Sequence, residues 1–181
     1  MAVVRRIVEL VDPDGNTIGE TSVEEAHTPP GRLHRAFSVM LFDEDDRVLL
    51  QQRAKVKNRF PELWANTCCS HPLAGEDIAL SAIKRVDEEL HLKIEELREV
   101  GAFTYQALDG HGAAEHEFDH VLIGKIGADA HLTAKPEPGE IEQLKWVQYS
   151  ELVADHAANP QNYAPWVPGV VRLIEAARAT S

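Results

Sequence analysis

The sequence predicts an α+β protein, a sandwich of mixed β-sheets flanked by helices. Three observations predict it. Segments with strand-like alternation and segments with helical spacing are interspersed, without the regular alternation of a doubly wound sheet. The 181 residues are 44% hydrophobic and show no internal repeat or linker, so residues 1–181 read as one domain with a sizeable core. One strongly amphipathic helix, Glu76–Leu92, carries Ala79, Ile83, Val86 and Leu90 on a single stripe.

Taken in order, Val3–Val11 alternates as a strand and ends at the turn Asp12-Pro13-Asp14-Gly15-Asn16. Thr21 or Ser22 is placed to cap a short helix through Ala26, and residues 28–33 (TPPGRL) form a loop. Arg35–Phe42 and Arg47–Arg53 read as a hairpin about the turn Asp43–Asp46. After a basic loop to Pro61, Leu63–Thr67 is a short strand. The helix at 76–92 follows, then strands at 97–107 and 116–126 around the turn Asp109–Gly112. Glu140–Gln148 reads as a further strand, Ser150 as the cap of a helix to Ala158, and Trp166–Ala177 as the last helix.

The formal net charge is −12, from 30 acidic and 18 basic residues, so nucleic acid and anionic membrane surfaces are poor partners. No apolar run approaches the roughly 18 residues of a membrane span, and the start lacks a signal-peptide apolar core. The two cysteines, Cys68 and Cys69, are adjacent and cannot staple a fold. These features read as a cytoplasmic protein, monomer or homodimer. An anion-binding site must gather its few cations locally. Residues 47–61 do so, with Arg47, Arg53, Lys55, Lys57 and Arg59 and no acid, as a phosphate clamp or a solvated loop.

His27 and His34 flank the Pro-Pro-Gly loop, and His71 follows the cysteines. Glu115 and Glu117 are two apart on a strand and therefore share a face. If they converge, three imidazoles and two carboxylates suit a transition metal; the alternative is scattered surface histidines. Cys69 is either a small buried hydrophobe or a reactive thiol, and Cys68 would face the opposite way. Arg85 and Glu89, at i and i+4, form either a surface ion pair or part of a phosphate–metal site.

Ser70–Leu92 (SHPLAGEDIALSAIKRVDEELHL) resembles a degenerate Nudix box, G-x5-E-x7-R-E-U-x-E-E-x-G-U. Glu76, Val86, Glu88, Glu89 and Leu92 fit; Ser70, Lys84, Arg85 and His91 replace the glycines and the Arg-Glu pair, which weighs against diphosphate hydrolysis. AHTPPGRLHRAFSVMLF, LQQRA, LWANTCCSHPLAGE, EHEF and YAPW, spread over 26–166, make the chain similar to the type I isopentenyl-diphosphate Δ-isomerases. The resemblance implies a Nudix-like α/β/α sandwich and an isomerase acting on an isoprenoid diphosphate. It implies His27, His34, His71, Glu115 and Glu117 as ligands of a divalent metal (Mn2+, Mg2+ or Zn2+). It implies Cys69 and Glu117 as the proton-transferring pair, with Tyr105 and Trp166 nearby. It implies Arg53, Lys57 and Arg85 as diphosphate contacts and Glu89 as ligand of an accompanying Mg2+. The family often carries a Lys shortly before the first metal histidine; here the stretch is Val23-Glu24-Glu25, leaving Lys55 or Arg32 to replace it. A Nudix hydrolase of another diphosphate and a non-catalytic Nudix-like module are the rival expectations.

Overall fold

The computed structural model describes residues 6–181. The expected first strand runs Ile7–Val11 (β1); its first three residues, 3–5, lie outside the described residues. β1 pairs antiparallel with Thr17–Ser22 (β2), a strand the sequence reading did not anticipate. Ser22 caps the short helix α1 (Val23–Ala26), its hydroxyl accepting from the Glu25 N–H. The next loop turns at Gly31, which has φ +88° and lies where a Cβ would press on His116.

The central strand is β3 (His34–Phe42). β4 (Arg47–Arg53) follows it, but the expected hairpin is joined only at Phe42↔Val48. Beyond that pair the strands part. The short strands β5 (Trp64–Ala65) and β6 (Cys68–Ser70) replace the single expected strand at 63–67. β6 takes the middle of the β3 edge, and β1 its start. Among the remaining elements are α2 (Ile78–Leu90), β7 (Arg98–Leu108), β8 (Ala114–Lys125) and the unanticipated turn of helix α3 (Ala130–Thr133). β9 (Ile141–Gln148), α4 (Tyr149–Ala158) and α5 (Val167–Ala179) complete the chain. Gln148, not Ser150, is the N-cap of α4 and makes no side-chain capping bond.

β8 runs parallel to β3 along its whole length, from His34↔Glu117 to Phe42↔Lys125, and β7 pairs antiparallel on the far side of β8. β9 and β5 pair antiparallel with β4. Among the described residues, nine strands thus form one continuous mixed sheet, with helices on both faces.

Alternation along β3 divides the core in two. Phe37, Val39 and Leu41 pack with Ala82, Val86 and Leu90 of α2. Met40 and Phe42 pack on the other face with Val167, Val170, Val171 and Ile174 of α5. Gly169 lets α5 press onto β7, since a Cβ there would sit 2.2 Å from the Phe103 ring. The α2 stripe is rotated from the expected one: Ala79 and Ile83 are half-buried, whereas Ser81, Ala82, Val86, Glu89 and Leu90 are buried. A buried carboxylate on the packed face is what an apolar-periodicity reading cannot find. Asp77 caps this helix, and His91 ends it at φ 55°.

Candidate active site

The register of the sheet assembles the site. In a parallel or antiparallel pair, aligned residues present their side chains to the same face. His34 aligns with Glu117, Glu117 with Tyr105, and Ser38 with Cys69. His34, Ser38, Cys69, Tyr105 and Glu117 therefore share the face covered by α5. Cys68, aligned with Val39, turns into the opposite core.

His27, His34, His71 and Glu117 are all buried, and their ligand atoms lie within 4.8 Å of one another. Glu117 Oε1 is the focus, 2.9 Å from His71 Nε2, 3.5 Å from His34 Nε2 and 3.6 Å from His27 Nε2. His27 Nδ1–H donates to the Val23 carbonyl at 2.6 Å and His34 Nδ1–H to the Arg32 carbonyl at 2.7 Å. These bonds fix the rings and turn each Nε2 toward Glu117, the orientation of histidine metal ligands. His34 Nε2 is buried with no hydrogen-bond partner. An orphaned imidazole nitrogen aimed at a carboxylate among two other imidazoles fits a divalent cation. Glu115 stands one step outside this group: Oε2 is 3.1 Å from His27 Nε2, and Oε1 accepts from Arg59 Nε at 3.2 Å.

Charge is distributed unevenly here. Burial opposes ionisation of Glu117, but the nearby His27, His34 and His71 outweigh it and hold the carboxyl well below its ordinary range. Burial would likewise lower His27, yet Glu115 and Glu117 raise it to about 9. His71 is lowered to about 3 by burial, against Glu117, and is neutral. Burial, then Asp119, pushes the Cys69 thiol up to about 12, so it carries its proton at neutral pH. Burial and Glu117 raise Tyr105, whose O–H donates to Glu117 Oε2 at 2.7 Å.

The thiol and the indole share an anchor. Asn66 Oδ1 accepts from Cys69 Sγ–H at 3.2 Å and from Trp166 Nε1–H at 3.0 Å. Its Nδ2 donates to the carbonyls of Val39 and Cys68, so all four of its hydrogen-bonding positions are used and the amide is fully constrained. Asn66 was in a quoted motif but had no expected role. Asp119 was also missed; it lies two residues past Glu117 on the same face of β8 and accepts from Ser38 Oγ at 2.7 Å. Its other oxygen, Oδ1, has no partner. A carboxylate continuing the i, i+2 spacing of Glu115 and Glu117 was the available signal.

A cavity of about 110 Å³ opens among these groups, lined by Cys69, Tyr105, Glu115, Glu117 and Trp166 at its chemical end. Arg53, Lys57 and Arg85 line it as well. Arg53 donates to the carbonyls of Arg59 and Phe60 and lies 5.0 Å from the centre of the Trp166 ring. Lys57 is paired with Glu140, a carboxylate absent from the expected site. Arg85 is 2.9 Å from Glu89 and 3.1 Å from Glu140. Glu89 is only 3% exposed, so the i, i+4 pair is a buried one. Cys68 Sγ–H donates to its second oxygen at 3.2 Å. Of the two candidates for the missing lysine, Arg32 pairs with Glu25, and neither it nor Lys55 lines the cavity. Arg6 and Arg59 line it instead. A larger open groove of about 400 Å³, bordered by Glu9, Arg35, Glu76 and Asp77, holds none of the expected site residues.

Residues 32–168 match the NUDIX domain family. The isopentenyl-diphosphate Delta-isomerase of Nocardia farcinica is 52% identical over 171 residues, 94% of this chain and 95% of that one. Its counterpart from Halorhodospira halophila is 41% identical over 88% of this chain and 89% of its own. Among solved structures, DR0079 from Deinococcus radiodurans aligns with a TM-score of 0.71 at 19% identity, covering 92% of this chain and 97% of that one, a likeness of fold alone. With the sheet, the buried histidine–carboxylate group and the paired cysteines in view, the chain belongs to the NUDIX domain family and, within it, to the isopentenyl-diphosphate Delta-isomerases.

Proposed function

We propose that this protein interconverts isopentenyl and dimethylallyl diphosphate as one domain over residues 1–181, in the cytoplasm, as a monomer or homodimer. The observation that carries the reading is one small cavity lined by a protonated thiol, an ionised carboxylate and a cluster of cations. Among the described residues no helix is long and apolar enough to cross a membrane.

Shifting the double bond adds a proton to the terminal methylene and removes one from the methylene nearer the diphosphate-bearing carbon. A tertiary carbocation lies between the two steps. Cys69 and Glu117 supply the proton donor and acceptor, exchanging roles with direction. A positioned acid or base contributes typically about 10²–10⁴-fold. Trp166, held edge-on by Asn66, offers its ring to the cation, a contact of about 2 kcal/mol or more when desolvated. Burial of the surrounding side chains keeps water from the cation. Arg53, Lys57 and Arg85 bind the diphosphate, and Glu89, behind the cavity lining and paired with Arg85, would hold its Mg2+. A divalent Mn2+, Mg2+ or Zn2+ on His27, His34, His71, Glu117 and Glu115 would fix the carboxylate and lower its basicity.

Incubation with isopentenyl diphosphate and Mg2+, followed by proton NMR, is expected to show dimethylallyl diphosphate with no phosphate released. Release of inorganic phosphate without isomer would instead make the protein a hydrolase. Saturable binding without either product would reduce it to a binding module.

A further inference from the structure

We propose that Arg6 binds the substrate's diphosphate and, with Arg85, closes the anion-binding end of the cavity. The inference rests on the reading of that cavity as a diphosphate site.

Five cations line the cavity: Arg6, Arg53, Lys57, Arg59 and Arg85. Four of them have firm partners within the protein. Lys57 and Arg85 meet Glu140, Arg85 also meets Glu88 and Glu89, and Arg59 meets Glu115. Arg53 donates to two backbone carbonyls. Arg6 is the exception. Its one hydrogen bond runs from Nη2 to the His71 carbonyl at 3.5 Å, at the outer limit for such a bond, and among the described residues no carboxylate pairs with it. A half-buried guanidinium with most of its five donors unspent, beside a second guanidinium, is a cost to the free protein. An incoming dianion removes that cost by accepting from both groups, in the bidentate geometry that arginine favours. Burial, then Arg85, holds the Arg6 guanidinium below its ordinary value, against the opposing pull of Glu88, Glu140 and Glu89.

The backbone explains how residue 6 reaches this place. The Val23 N–H donates to the Arg6 carbonyl at 3.0 Å, and Val23 itself lines the cavity. Arg6 therefore enters beside Val23-Glu24-Glu25, the helical segment that leads to His27.

The test compares Arg6→Ala, Arg6→Lys and Lys57→Ala with the parent protein. Steady-state isomerisation gives KM and kcat, and calorimetry with inorganic diphosphate and Mg2+ gives Kd. The backbone bond from Val23 survives these changes. Arg6→Ala is expected to raise both KM and the diphosphate Kd at least about tenfold, the cost of a charge-assisted contact, with kcat within about threefold. Arg6→Lys should recover part of the loss. Arg6→Ala values within twofold of the parent, while Lys57→Ala weakens binding, would overturn the inference and leave the cavity reading standing. If neither variant weakens diphosphate binding, the cavity reading fails and takes the inference with it.

Discussion

Adjacent residues of an extended strand face opposite ways, and β6 uses this to give its two cysteines different chemistry. Cys69 lines the cavity and donates to Asn66, whereas Cys68 is fully buried under α2 and donates to Glu89 Oε2. Cys69→Ser keeps a proton but is a far weaker acid, so kcat should fall at least about 10²-fold. Cys68→Ser keeps a donor toward Glu89 and should retain turnover, with a stability loss of about 1 kcal/mol. Cys68→Val keeps most of the volume and no donor. It should raise the Mg2+ concentration needed for half-maximal rate, because one oxygen of a buried carboxylate is left unpaired. Turnover by Cys69→Ser at the parent rate, with a folded Cys68→Ser inactive, would reverse the assignment. The opposite facing of the two thiols follows from strand geometry alone. The Cys68–Glu89 bond does not, because nothing local in sequence says which turn of α2 lies over which strand.

At the scale of elements, local chemistry was legible and long-range pairing was not. The acidic turn after β3 is where the residues put it. Asp43 Oδ1 accepts from the N–H groups of Asp45 and Arg47, and Oδ2 accepts from Arg47 Nε at 2.7 Å. What the turn cannot dictate is that β6 and β5 take the facing edges of β3 and β4, so the two strands separate after one pair. Likewise β2 has the composition of a loop and becomes a strand because β1 offers it an edge. The Asp43 turn carries a pH signature. Burial would raise the carboxyl's pKa, but bonds from Arg47 and the backbone hold it below its ordinary value. A depressed folded-state pKa adds stability that is complete above the unfolded value of about 3.9 and disappears as pH falls through the folded value. Asp43→Asn should therefore lower stability at pH 7 by about 1–2 kcal/mol, seen as an earlier urea midpoint. The gap between variant and parent should close as the pH is lowered through about 4 to 2. A gap that is the same at both ends of that range would show that the charge of Asp43 does not matter.

Across the whole molecule, the histidine–carboxylate group joins parts of the chain that local structure leaves independent. His27 ends α1, His34 begins β3, His71 follows β6, and Glu117 sits on β8. The resemblance points to these residues as candidate metal ligands, and the fold brings them together. Their relative ranks were not legible: Glu115, equal to Glu117 in spacing, is drawn toward Arg59, whereas Glu117 is held by three imidazoles and Tyr105. A cation that binds this group in the folded chain and not in the unfolded one stabilises the fold by mass action. At a concentration of about 100 Kd the gain is about 2.7 kcal/mol. For a chain of this size that corresponds to roughly 5–10 °C in Tm. Dialysis against a chelator, with metal content checked by mass spectrometry, should lower Tm by about that amount. Adding back Mn2+ or Zn2+ should restore it. His71→Ala removes one ligand while its neighbours stay in place, so the variant's Tm should no longer respond to metal over the same range. Parent protein that melts at one temperature whether stripped or loaded would show that the four elements are held together by packing alone and that the buried imidazoles are not a metal site.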